Sequence, residues 1–203
     1  ADYADFRPYV EDRIIYVPDA LDDVEGVEGL EVYRATVAHM AAHMMYTNKS
    51  MSAEQLSTAQ MFFIGLLEDA RVEYKAINDF PGLGKLWRSL MVLEHEEPSE
   101  HKTMDILESF ALQLLDSEVK GNDEQLNSFA EKFHREIESN QDDNHFAWLM
   151  GVELYNIFEG RKEIPSLRIL ERYRIDYRDD NRIIWHYEDI NWDMGIEYMA
   201  ASQ

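Results

Sequence analysis

Apolar residues recur at helical spacing through most of the chain. The clearest stripe is Leu56, Ala59, Phe63, Leu66, Leu67, Ala70, Tyr74 and Ile77, which predicts a helix over Ser52–Asp79. Ser52 with Gln55 suggests a capping box at its start, and Pro81-Gly82 stops it. Just upstream, Glu31–Thr47 predicts a helix that is apolar almost all round from Ala35 to Met45, the mark of a central buried helix. Further helical periods fall at Lys85–Leu93, Thr103–Asp116, Glu124–Ser139 and His145–Glu159. A short helix capped by Ser166 is expected to run to Arg174. Strand signals are few: RIIYVP (13–18) reads as a short strand or extended arm, since the residue before Pro18 is pushed out of helix. LDDVEGVEG (21–29) is an acidic loop, and residues 176–195 have no clear period. The pattern predicts an all-α, irregular multi-helix bundle of six to seven helices with a short extended N-terminal arm, forming one helical domain over residues 1–203.

Charge narrows the function classes. The 203 residues carry 19 Lys+Arg against 41 Asp+Glu, a net charge of −22. Such a surface repels phosphate backbones and anionic lipid, so neither nucleic acid nor membrane is an expected partner. A basic protein surface is compatible with it. No apolar run approaches the length of a membrane span, and no signal-peptide pattern opens the chain. There is no Cys, which excludes disulfides and Cys-based zinc sites and suits a cytoplasmic location. The start at Ala1 without Met suggests a piece of a longer protein. No glycine-rich phosphate loop is present, so the chain is not expected to hydrolyse ATP.

The candidate chemistry lies where polar groups interrupt the two most hydrophobic helices. His39 and His43 are four apart, so both imidazoles can reach one point from one helical face. Glu68, Asp69, Arg71 and Glu73 lie on the next helix. Buried polar groups need partners, and the simplest arrangement has the two helices meeting along this seam. Two readings follow. In one, His39, His43 and Glu68 ligate zinc, as in a zinc hydrolase with Glu73 as base or a degenerate metal-binding domain. The spacing is similar to the HExxH arrangement of zinc peptidases, but the position of their general base is Met40 here, which cannot take a proton from bound water. In the other, the histidines are ordinary core residues and Asp69, Arg71 and Glu73 form a structural polar seam, with Glu68 and Arg71 paired three apart. Glu131 and His134 make a single Glu-x-x-His, half of what a di-metal bundle needs. Asp179-Asp180-Asn181 suits helix capping better than calcium, and Trp185, Tyr187 and Trp192 suit the core or a contact surface.

Several stretches resemble one family. LEDARVE (67–73) followed by FPGL (80–83), with VYRATVAHMAAHMM (32–45), YRDDNR (177–182) and, more weakly, IIYVP (14–18), look like the N-terminal helical region of the NorD/CbbO proteins. Members of that family assist nitric oxide reductase maturation or Rubisco activation. In them this region precedes a von Willebrand factor A domain with a metal-ion-dependent adhesion site, and the protein works with a hexameric MoxR-type AAA+ ATPase. The Asp-x-Ser-x-Ser signature of the adhesion site is absent from this chain. The resemblance therefore implies a non-catalytic adaptor domain with no cofactor of its own. Its partners would be the ATPase and, through the rest of the protein, a target metabolic enzyme.

Overall fold

The computed structural model describes residues 6–24, 26–92, 101–172 and 175–187. Seven helices dominate: α1 (Gly29–Tyr46), α2 (Thr58–Asp79), α3 (Gly82–Met91), α4 (Lys102–Leu115), α5 (Glu124–Asn140), α6 (Asn144–Gly160) and α7 (Leu167–Arg172). The strands are fragments. Antiparallel β1 (Tyr9–Glu11) and β2 (Ile14–Tyr16) form a hairpin, and β3 (Met51–Ser52) pairs in parallel with β4 (Trp185–His186). The expected all-α multi-helix architecture is the observed one, and the N-terminal arm is a hairpin.

Local chemistry sets most helix ends. Ser57 caps α2 through the Gln60 amide, and the Gln60 side chain returns the bond to the Ser57 amide. The capping box is therefore Ser57/Gln60 and not the expected Ser52/Gln55. Ser52 lies in β3, and Gln55 takes a left-handed φ of 63° that no helix accommodates. Asp123 and Asp143 cap α5 and α6. Pro81 ends the run of α2, and α3 begins at the next residue.

Helix α2 is the axis of the molecule. One side packs Phe63, Leu66, Leu67 and Ala70 into a core shared with α4, α5 and α6. Another side sends Val72 and Ala76 into a second core with Val32, Ala35 and Ala42 of α1, Trp87 and Leu90 of α3, and Tyr177. Contact with α6 is close: a Cβ on Gly151 would lie 2.4 Å from the Ile64 Cα. The remaining side of α2 carries Asp69 and Glu73 toward α1 and toward the segment 175–187, which crosses over both helices. That segment includes a single 3-10 turn, Arg182–Ile184, before β4. Among the described residues no helix is long and apolar enough to cross a membrane.

Candidate metal centre

Every buried acidic or basic residue described belongs to one region: His39, His43, Glu68, Asp69, Arg71, Glu73, Arg178 and Asp179. The two histidines project from one face of α1. Behind each ring a hydrogen bond fixes its orientation. His39 Nδ1 lies 2.9 Å from Glu73 Oε1, and a carboxylate can only accept, so Nδ1 carries the proton. His43 Nδ1 lies 2.9 Å from Thr47 Oγ1. The Thr47 hydroxyl donates to Glu68 Oε1 at 2.9 Å, which leaves its oxygen to accept from His43 Nδ1–H. For His39 this leaves Nε2 turned to the centre, the arrangement by which carboxylates orient metal-binding histidines, while His43 Nε2 is in hydrogen-bond contact with Asp69 Oδ1.

The two Nε2 atoms face the same carboxylates. His43 Nε2 is 2.8 Å from Asp69 Oδ1. His39 Nε2 is 3.3 Å from Asp69 Oδ1 and 3.5 Å from Asp179 Oδ1, without a directed hydrogen bond to either. Neither oxygen of Asp179 accepts a hydrogen bond, although the residue is 0% exposed. One donor atom from each of His39, His43, Asp69 and Asp179 can be chosen so that all four lie within 4.8 Å of one another. Zinc bound at 2.0–2.2 Å in a tetrahedron places its donors roughly 3.3–3.6 Å apart, so small side-chain shifts suffice to meet that geometry.

Around this point the charges are locked. Arg178 donates to Glu73 from Nε at 3.1 Å and from Nη2 at 2.9 Å, and Tyr177 OH donates to the same carboxylate at 2.9 Å. Asn181 Nδ2 donates to Asp69 Oδ2 at 3.0 Å. On the far side Arg71 holds Glu68 from Nε at 2.9 Å and Nη2 at 2.5 Å, and also caps the carbonyls of Tyr46 and Gln141. Burial opposes ionisation of Asp69 and Glu73, but Arg178 and His39 outweigh it and hold both carboxyls below their usual range. Burial likewise opposes a charged His39, yet Asp179, Asp69 and Glu73 raise its pKa well above the ordinary value. Without another cation, the centre therefore recruits a proton.

The sequence-derived candidates distribute as follows. His39 and His43 do converge. Glu68, expected as the third ligand, does not face them; it is engaged by Arg71 and Thr47. The carboxylates at the Nε2 atoms are Asp69 and Asp179. The reason is helical phase: Asp69 and Glu73 are four apart and share the face toward α1, while Glu68 is turned by about 100° toward Thr47. Glu73, considered as a base, accepts from His39, Tyr177 and Arg178 and has no capacity left for that task. Arg71 and Glu73 take structural places in the seam. Glu131 pairs with Lys120 at the surface, and His134 Nε2 donates to the Gln113 carbonyl at 2.6 Å, so the Glu-x-x-His forms no site. Asp180 does accept from the Arg182 amide as a local cap, but its neighbour Asp179 points into the centre, a role no periodic signal announced. Trp185 is half-buried, Tyr187 is 71% exposed, and Trp192 lies outside the described residues.

No family model, no curated protein and no solved structure matches the chain. What the chain does is therefore read from the centre itself.

Proposed function

We propose that this chain is a non-catalytic helical domain built around one divalent transition-metal ion, zinc in the first instance, held by His39, His43, Asp69 and Asp179. One observation carries it. Two buried imidazoles, each held from behind at Nδ1, turn their Nε2 atoms toward the carboxylate oxygens of Asp69 and Asp179. The space between these nitrogens and oxygens is one that a cation fills, whether protons on the imidazoles or a metal ion in their place. Charge supports the same reading: four buried carboxylates (Glu68, Asp69, Glu73, Asp179) face two buried guanidiniums (Arg71, Arg178), so with neutral imidazoles the centre is two positive charges short. A divalent ion closes that deficit. Imidazole nitrogen and carboxylate oxygen suit zinc, and four protein donors describe a closed, structural site.

The test is elemental analysis after zinc loading and desalting. The expected result is about one zinc per chain, abolished by His43→Ala and retained by Glu68→Gln. Zinc below about a tenth of an equivalent in the parent protein would overturn the proposal.

The resemblance to the NorD/CbbO proteins supports a use for such a rigid domain: an adaptor joining a MoxR-type AAA+ ATPase to a target enzyme. A structural observation favours this reading. VYRATVAHMAAHMM, LEDARVE and YRDDNR lie far apart in sequence, yet they supply His39 and His43, Asp69 and Glu73, and Tyr177 to Asn181 at this one centre. Pull-down of the cognate ATPase by the zinc-loaded chain tests it; no capture by a chain that holds its zinc would remove the adaptor role and leave the metal centre standing.

A further inference from the structure

We infer that the segment 175–187 is a zinc-dependent latch, released when the ion leaves and closed over it when the ion binds. The inference rests on the metal centre proposed above and concerns how that centre is loaded and what loading controls.

All four donors are buried: His39, His43 and Asp179 are 0% exposed and Asp69 is 4% exposed. The approach to them is the cleft of about 440 Å³ that Asp69 and Asp179 line, and the segment is one of its walls. Three of the donors sit on α1 and α2, long helices packed into the cores of the molecule. The fourth, Asp179, lies on a segment with little regular structure. Among the described residues its main-chain attachments beyond itself are few: Asp180 N to the Pro8 carbonyl at 3.1 Å, Ala53 N to the His186 carbonyl at 2.9 Å, and the two-residue β3–β4 pairing.

Apolar packing adds to this, with Tyr177 stacked on Trp87 and Ile184 buried, and the remaining polar hold on the helices comes from side chains at the centre. Tyr177 and Arg178 bind Glu73, and Asn181 binds Asp69. Without an ion Asp179 has only the His39 Nε2 beside it, at 3.5 Å and with no directed hydrogen bond to either of its oxygens. An ion gives that same residue a direct bond to the centre. Loading therefore strengthens the contribution of Asp179 to closure.

Closure reaches beyond the centre. The Arg7 guanidinium donates to the Asp179 carbonyl at 3.1 Å, and Arg182 lies 3.8 Å from the centre of the Tyr9 ring, so the β1–β2 hairpin rides on the segment. The segment also walls the cleft against Met61, Phe62 and Leu66 of α2. The presence of that cleft follows the ion.

Hydrogen exchange on the full chain, zinc-loaded against chelator-treated, tests the latch. Peptides covering 175–187 and 6–16 are expected to exchange about tenfold faster or more without zinc, to recover with one equivalent added, and to leave α4–α6 unchanged. Asp179→Asn, close in shape but a poor ligand, is expected to abolish the difference between the zinc and chelator states. Zinc bound at one per chain with unchanged exchange in 175–187 would overturn the latch and leave the centre intact. A full zinc response in Asp179→Asn would also overturn it. Failure to bind zinc at all would remove both.

Discussion

At the scale of single residues, the same chemistry serves different ends according to burial. Asp69 and Asp123 are both aspartates with depressed pKa values and arginine partners. Asp69 is sealed and faces two imidazoles. Asp123 sits at the surface, where Arg161 grips it from two nitrogens at 2.5 and 2.9 Å and the amides of Gln125 and Leu126 complete the N-cap of α5. Arg161 chiefly, opposed by burial and aided by those amides, holds its carboxyl down to about 2 from an ordinary 3.8. The folded value lies below the unfolded one, so this contribution is complete above about pH 4 and is lost as the pH falls toward 2. Asp123→Ala is expected to lower stability by about 1 kcal/mol at pH 7. In urea titrations its deficit should shrink between pH 4 and pH 2. A deficit unchanged over that range would show that the carboxylate charge contributes nothing.

At the scale of elements, α2 does the organising, and its packing can be tested apart from the centre. Gly151 of α6 lets the two helices meet at backbone distance, since any Cβ there would press on the Ile64 Cα at 2.4 Å. Backbone cannot yield as a side-chain tip can, so Gly151→Ala is expected to cost about 1–3 kcal/mol or more. The readout is a lower urea midpoint with zinc stoichiometry preserved. An unchanged midpoint would mean that α6 slides freely on α2. The stripe from Leu56 to Ile77 and the paired histidines announced that α1 and α2 meet, because periodicity is local and strong. The N-terminus of α2 was misread because Ser52-x-x-Gln55 and Ser57-x-x-Gln60 carry the same local signal, and a non-local strand pairing of 51–52 with 185–186 decides between them. The β1–β2 turn was equally hidden: Asp12 and Arg13 both take positive φ, at 50° and 63°, where glycine or asparagine would be the usual sign. Asp179 was illegible for the same reason as β4. It is placed by a crossing segment, and no spacing within that segment records which helices it crosses. The choice of Asp69 over Glu68 was closer to hand, because Asp69 and Glu73 repeat the four-residue spacing of His39 and His43.

At the scale of the whole molecule, two electrostatic imbalances stand side by side, and they respond to different agents. The chain carries −22 overall, and most of that charge lies in water, where salt screens it over about 10 Å at 0.1 M. The centre, with neutral imidazoles, is two positive charges short in a buried interior, where salt screens little. Sodium chloride should therefore relieve surface repulsion and raise the melting temperature modestly, with similar effect in the parent and in Asp179→Asn. Zinc should act through the centre instead. At a free concentration about a hundredfold above its dissociation constant, a ligand that binds only the folded state adds about 2.7 kcal/mol. For a chain of this size that is roughly a 5–10 °C rise in melting temperature. The rise is expected in the parent, to be reversed by chelator, and to be much reduced in Asp179→Asn and absent in His43→Ala. Scanning calorimetry of the three proteins, each with and without zinc at fixed salt, separates the two agents. A zinc-induced rise that survives His43→Ala would place the ion among the surface carboxylates, where it would only be doing what sodium does.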